Sequence, residues 1–113
     1  MNELQATKAF GALGHEARLH LLRLLVQKGP EGMTPSQLTE CLNMPAATLS
    51  FHLRELTQSG LISQTRQGRH LIYQPALQTM TELIDFLTSN CCQGQPCSLT
   101  TPSKTVFSKK QPV

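Results

Sequence analysis

No stretch of the 113 residues approaches the roughly 20 consecutive apolar side chains that a bilayer-crossing helix needs. The opening "MNELQATKAF" also lacks a basic start followed by an apolar run. The reading is a soluble, cytoplasmic chain with no membrane partner. Catalytic signatures are missing as well: there is no Cys-x-x-Cys beside a βαβ pattern, no glycine-rich phosphate loop, and no nucleophile with an identifiable base. These absences argue against an enzyme. The length excludes two independent domains but allows one with a modest core, which a second copy could enlarge.

The formal net charge is only +3, so its placement carries more information than its sum. Between His52 and His70 lie Arg54, Arg66 and Arg69 against one acid, Glu55, whereas residues 71–97 hold Glu82 and Asp85 with no lysine or arginine. A locally basic middle suits a polyanionic partner, although an ordinary solvated face would show the same charges.

Periodicity supplies the elements. A short helix is expected from Asn2 to Leu13, with Leu4, Phe10 and Leu13 as its apolar positions and Gly11 and Gly14 weakening its end. "HEARLHLLRLLVQKGP" carries a helical stripe of Leu21, Leu22, Leu25 and Val26, an acid in the first turn at Glu16, and a stop at Lys28-Gly29-Pro30. "TPSQLTECL" has the pattern of a capping box, with Thr34 as N-cap, Pro35 at the first helical position and Gln37 reaching back. After a break near Asn43 and Met44, Pro45 opens a helix to Ser59, stopped by Gly60, with Ala46, Leu49, Leu53 and Leu56 as its buried stripe.

Beyond Gly60, "LISQTR" and "RHLIYQ" read as two strands flanking a tight turn at Gln67 and Gly68. A last helix from Pro75 to Ser89 bears Leu77, Met80, Leu83, Ile84 and Leu87 on a face too apolar for water, so it packs on the domain or on a second copy; Phe86, off that face, hints at further contact. From Ser98 the chain is polar, proline-containing and basic without periodicity, and is expected to be disordered.

Two helices joined by a tight turn and followed by a hairpin make a winged helix-turn-helix, an α+β, mainly α fold with a two-stranded wing. Residues 45–59 form the expected recognition helix. Rotation by about 100° per residue from the buried stripe puts Ala47, Thr48, Phe51, Arg54 and Gln58 outward. Thr48, Arg54 and Gln58 can hydrogen-bond to bases or phosphates, and Ala47 and Phe51 suit thymine methyls. Arg66 and Arg69, near the wing tip, suit phosphates or the minor groove, which makes binding sensitive to salt. A module of this order used only for protein contacts remains an alternative.

Three segments, "ALGHEARLHLLRLL", "LSFHLRELTQSGLI" and "RQGRHLIY", closely resemble the ArsR/SmtB family of bacterial metalloregulatory repressors over roughly residues 4–90. The Ser50-x-His52-Leu53 run followed by Gly60-Leu61 is the most specific part, and by it Ser50 joins the expected DNA-binding residues. The resemblance implies a homodimer through the first and last helices, bound to near-palindromic double-stranded operator DNA. Arsenic-sensing members often carry cysteines in the short helix, in an "ELCVCDLC" type motif, but this chain has Thr34, Ser36 and Thr39 there. Cys41 falls at a position the family fills with a small apolar residue and is expected to be a buried thiol.

The remaining cysteines, Cys91, Cys92 and Cys97, form a Cys-Cys-x4-Cys cluster similar to an alternative arsenic site of the family. Adjacent helical residues diverge by about 100°. Cys91 and Cys92 therefore converge on one ion only where the helix frays, and Gly94 and Pro96 let the chain return with Cys97. Three thiolates with no histidine nearby in sequence suit trivalent arsenic or antimony, which three sulfurs satisfy; zinc normally takes four ligands. His15, His20, His52 and His70 show no ligand-like clustering. The expected layout is thus a DNA-binding and dimerisation domain at 1–90, a metalloid-binding segment at 91–97 and a basic tail at 98–113. The expected function is repression of an arsenic-resistance operon, relieved by As(III) or Sb(III). A thiol redox switch, or a zinc- or cadmium-responsive repressor with a fourth ligand from elsewhere, stays open.

Overall fold

The computed structural model describes residues 1–89; the expectations for Cys91, Cys92, Cys97, the 91–97 segment and the 98–113 tail lie outside the described residues. Seven elements follow in the order α1 (Glu3–Leu13), α2 (Glu16–Lys28), α3 (Pro35–Leu42), α4 (Ala46–Gln58), β1 (Ile62–Gln67), β2 (His70–Pro75) and α5 (Leu77–Thr88). This is the expected winged helix-turn-helix order.

Caps account for where the helices begin. Asn2 accepts from the Gln5 amide while the Gln5 side chain accepts from the Asn2 amide, a capping box that starts α1. Thr34 and Gln37 make the same reciprocal pair at α3, with Pro35 just inside. His15 caps α2, its Nδ1 accepting from the Ala17 amide at 3.2 Å. Gly29, at φ +98°, ends α2, and Asn43, in the left-handed region at φ 52°, ends α3 and turns the chain into α4.

The core is built mainly of leucine: Leu21 and Leu25 from α2, Leu38 from α3, Leu49 and Leu56 from α4, and Leu61 beyond it are fully buried. Each such burial stabilises the fold by about 1.5–3 kcal/mol. Toward this core α1 turns Ala6, Ala9 and Ala12, not the expected Leu4 and Phe10, which are exposed. Alanine lets the helix axis approach α2, α4 and α5 closely, and the larger side chains then have room only on the other side. Two further expectations are corrected in the same way. Val26 is exposed at the margin of the α2 stripe, and Ala46, in the first turn of α4, projects beyond the edge of the core.

β1 and β2 pair antiparallel from Ile62↔Pro75 to Gln67↔His70, so the turn residues are Gly68 and Arg69, one position later than expected. Gly68, at φ +62°, takes the conformation disfavoured for a residue with a Cβ. Pro75 ends β2, and α5 starts at Leu77. A contact that no local pattern announced joins the α2–α3 connection to the hairpin: Met33 and Tyr73 exchange backbone hydrogen bonds of 2.9 and 2.8 Å. In α5 the apolar residues divide. Leu83 is buried, Met80 and Phe86 pack against the core, and Leu77, Ile84 and Leu87 are exposed.

Candidate nucleic-acid interface

Burial of Leu49, His52, Leu53 and Leu56 fixes the rotation of α4 about its axis. The opposite face is then determined: Ala47, Thr48, Phe51, Arg54 and Gln58 are all exposed, as expected, and Ser50 is exposed as well. Between this face and the hairpin runs a groove lined by Ser50, Arg54, Thr57, Gln58, Gln64 and Tyr73. Its walls offer hydroxyls, amides and a guanidinium, the groups that hydrogen-bond to base edges and phosphates.

The wing is braced to the body. Thr65 Oγ1 donates to Gln74 Oε1 at 2.9 Å, and Gln74 Nε2 donates to the Pro30 carbonyl at 2.9 Å. Together with the Met33–Tyr73 pair, these bonds set the hairpin relative to α3. Arg66, paired with Leu71, and Arg69, in the turn, are both exposed near the tip. Among the described residues the only ion pair is Lys28–Glu31, so neither arginine is neutralised by a neighbouring carboxylate there.

Behind the reading face lies a cluster assembled from α2 and α4. His52 is 5% exposed, and its Nδ1 accepts from Arg18 Nε–H at 3.1 Å. The His15 ring meets the His52 ring edge-on at 4.8 Å. Arg18 and Arg54 both lie over the Phe51 ring, with their guanidinium carbons 5.3 and 5.6 Å from its centroid. Burial chiefly, and then the neighbouring His15 and Arg18, hold the His52 pKa below the usual imidazole value. His52 is therefore a neutral acceptor in this arrangement.

The geometry is matched by known proteins. Residues 13–65 fit the family model described as a helix-turn-helix domain. The HTH-type transcriptional regulator YbzH of Bacillus subtilis is 29% identical over 96 residues, covering 74% of this chain and 96% of YbzH. An ArsR-like transcriptional regulator from Rhodococcus sp. RHA1 superposes with a TM-score of 0.72 at 22% identity, over 80% of this chain and 83% of that one. A second solved structure, the ArsR family transcriptional regulator RHA00566, gives 0.66 at 26% identity over 80% and 90% of the two chains. The homodimeric winged helix-turn-helix DNA-binding domain of Mb0332 from Mycobacterium bovis, described as a possible ArsR-family regulator, gives 0.61 at 22% identity over 82% and 86%. The chain shares the winged helix-turn-helix fold of these proteins and is similar to ArsR-family regulators.

These relatives are transcriptional regulators rather than enzymes. One expectation drawn from the sequence is corrected here: Cys41 is an exposed thiol on α3 and not a buried one. No helix among the described residues is long and apolar enough to cross a membrane, and no group of three or more metal-ligating side chains occurs among them. The Arg18–His52–His15 cluster was not legible in the sequence, because Arg18 and His52 are 34 residues apart and no motif spacing links them. A polar residue on the buried side of α4 was the one available signal.

Proposed function

We propose that this chain is an ArsR-type regulator, a homodimeric repressor of an arsenic-resistance operon released from its operator when As(III) or Sb(III) binds the thiolates of Cys91, Cys92 and Cys97. The observation that carries the reading is the donor set itself: three cysteines within seven residues of sequence, Cys91, Cys92 and Cys97, which follow α5 (Leu77–Thr88) in the chain. Three soft thiolates without a nearby histidine satisfy a trivalent metalloid, whereas zinc lacks its usual fourth ligand.

Dimerisation through α1 and α5 is part of the proposal. The two helices contact each other, and between them they leave Leu4, Phe10, Leu77, Ile84 and Leu87 in water, a combination typical of an interface. A two-fold dimer presents two copies of α4 to successive major grooves about one helical turn apart, or a multiple of that, on a near-palindromic site. Metalloid binding just past α5 would then act at the dimer helix. A coupling of about 1–3 kcal/mol weakens operator binding roughly 5- to 150-fold.

The test is fluorescence anisotropy of reduced protein on its operator, titrated in parallel with arsenite and with zinc. Release by arsenite and not by zinc is expected, and a Cys91, Cys92 and Cys97 triple serine variant should stay bound. Release of that variant by arsenite would sink the assignment of the sensor. Release by peroxide without metalloid would replace it with a thiol redox switch.

A further inference from the structure

Phe51 is 44% exposed on the face of α4 proposed to read DNA. An unsupported phenyl ring there would sample several rotamers and lose that freedom on meeting a base. Two guanidiniums lie over it, but they differ in kind. Arg54 is exposed, three residues along the same helix, and free to follow a phosphate. Arg18 comes from α2, is half-buried, and is tied by its Nε–H to the buried ring of His52. His52 is in turn packed against His15, the cap of α2. A continuous path thus runs from the start of α2 to the aromatic ring on the reading face. Arg18 shares a cavity with Glu55 without reaching ion-pair distance, so its contacts to His52 and Phe51 are the ones that place it.

We propose that Arg18, outside the helix-turn-helix pair, is a positioning residue for sequence reading: held by His52 and lying over Phe51, it sets the phenyl ring against a thymine methyl in the major groove. This rests on the DNA-reading function proposed above. Arginine is suited to the task because its planar guanidinium can stack on a ring while its Nε–H bonds sideways, which a lysine ammonium on a flexible stem does not reproduce.

The experiment uses the full chain and a duplex selected by the wild-type protein from a random-sequence pool. Each thymine of that duplex is replaced in turn by uracil, which removes only the methyl group. Wild-type protein is expected to lose about fourfold in affinity at one thymine of each half-site, the worth of one methyl-sized apolar group. Arg18→Lys and Arg18→Met bring that ratio toward one without changing the dependence of affinity on salt. His52→Asn, whose amide oxygen can replace Nδ1 as acceptor, keeps the ratio, and His52→Leu abolishes it. Arg18→Lys and His52→Asn serve if the more drastic variants do not fold. The proposal is overturned if the Arg18 variants keep the fourfold ratio, or if wild type shows no thymine–uracil difference. It is equally overturned if the variants weaken all duplexes alike and lower the salt slope by about one, the behaviour of a phosphate contact. A wild-type protein that selects no duplex at all would refute DNA reading itself, a result distinct from selective loss of methyl discrimination.

Discussion

Replacing Gly32 with alanine should loosen the wing from the body of the domain. A Cβ on Gly32 would stand 2.4 Å from the Tyr73 carbonyl oxygen, 2.7 Å from Ile72 Cγ2 and 2.8 Å from Gln74 Cγ, and the residue has φ +72°. Contacts below 3.0 Å are not tolerated, so β2 has to retreat by more than half an ångström, and the Met33–Tyr73 pair of hydrogen bonds is pulled with it. The left-handed backbone costs an alanine about 1–2 kcal/mol. Two weakened hydrogen bonds add about 0.5–1.5 kcal/mol each, for a total of roughly 2–5 kcal/mol. Gly68→Ala is the control, because Gly68 has φ +62° but nothing within 4 Å of its added Cβ, leaving only the backbone cost. Both variants are compared by urea denaturation followed by circular dichroism, at one protein concentration because self-association would shift the midpoint. Gly32→Ala should be less stable than Gly68→Ala by at least about 1 kcal/mol. Equal stabilities, within about 0.5 kcal/mol, would refute the claim that the close approach at Gly32 holds the wing. Operator binding should weaken with it, since Met33 directly precedes the Thr34 cap of α3.

Acidification should destabilise the fold through His52. Its folded pKa lies below the unfolded value of about 6.5. The contribution is therefore complete above pH 6.5 or so and is lost as pH falls through the lower folded value, because the unfolded chain binds the extra proton. Urea midpoints taken at about pH 7.5 and 5 should differ less for His52→Asn than for wild type, and an identical pH dependence would remove His52 from the account. Arg66→Gln and Arg69→Gln should each lower the slope of log affinity against log salt by about one; unchanged slopes would mean that the wing tip does not touch phosphates. Ile84→Glu or Leu87→Glu should raise the dimer dissociation constant at least about tenfold, read by sedimentation, by placing a charge in the proposed interface. A variant that sediments as wild type does would move that interface off α5.

The elements were legible because their causes are local. Capping boxes at Asn2 and Thr34, glycines after α2 and α4, and leucines every three or four residues act within one or two turns of chain. The outward set Ala47, Thr48, Phe51, Arg54 and Gln58 followed from the buried leucines of α4 by rotation alone, and the clustering of Cys91, Cys92 and Cys97, on which the proposed metalloid site rests, is a property of the sequence. What the sequence left undecided was which of two faces meets the core. In α1, alanines and not Leu4 and Phe10 were chosen, because the space between α2, α4 and α5 admits only a close-packed helix. Only tertiary structure could join Met33 to Tyr73, or Arg18 to His52 and through it to Phe51, since residues far apart in sequence meet by packing and leave no periodic trace in the chain.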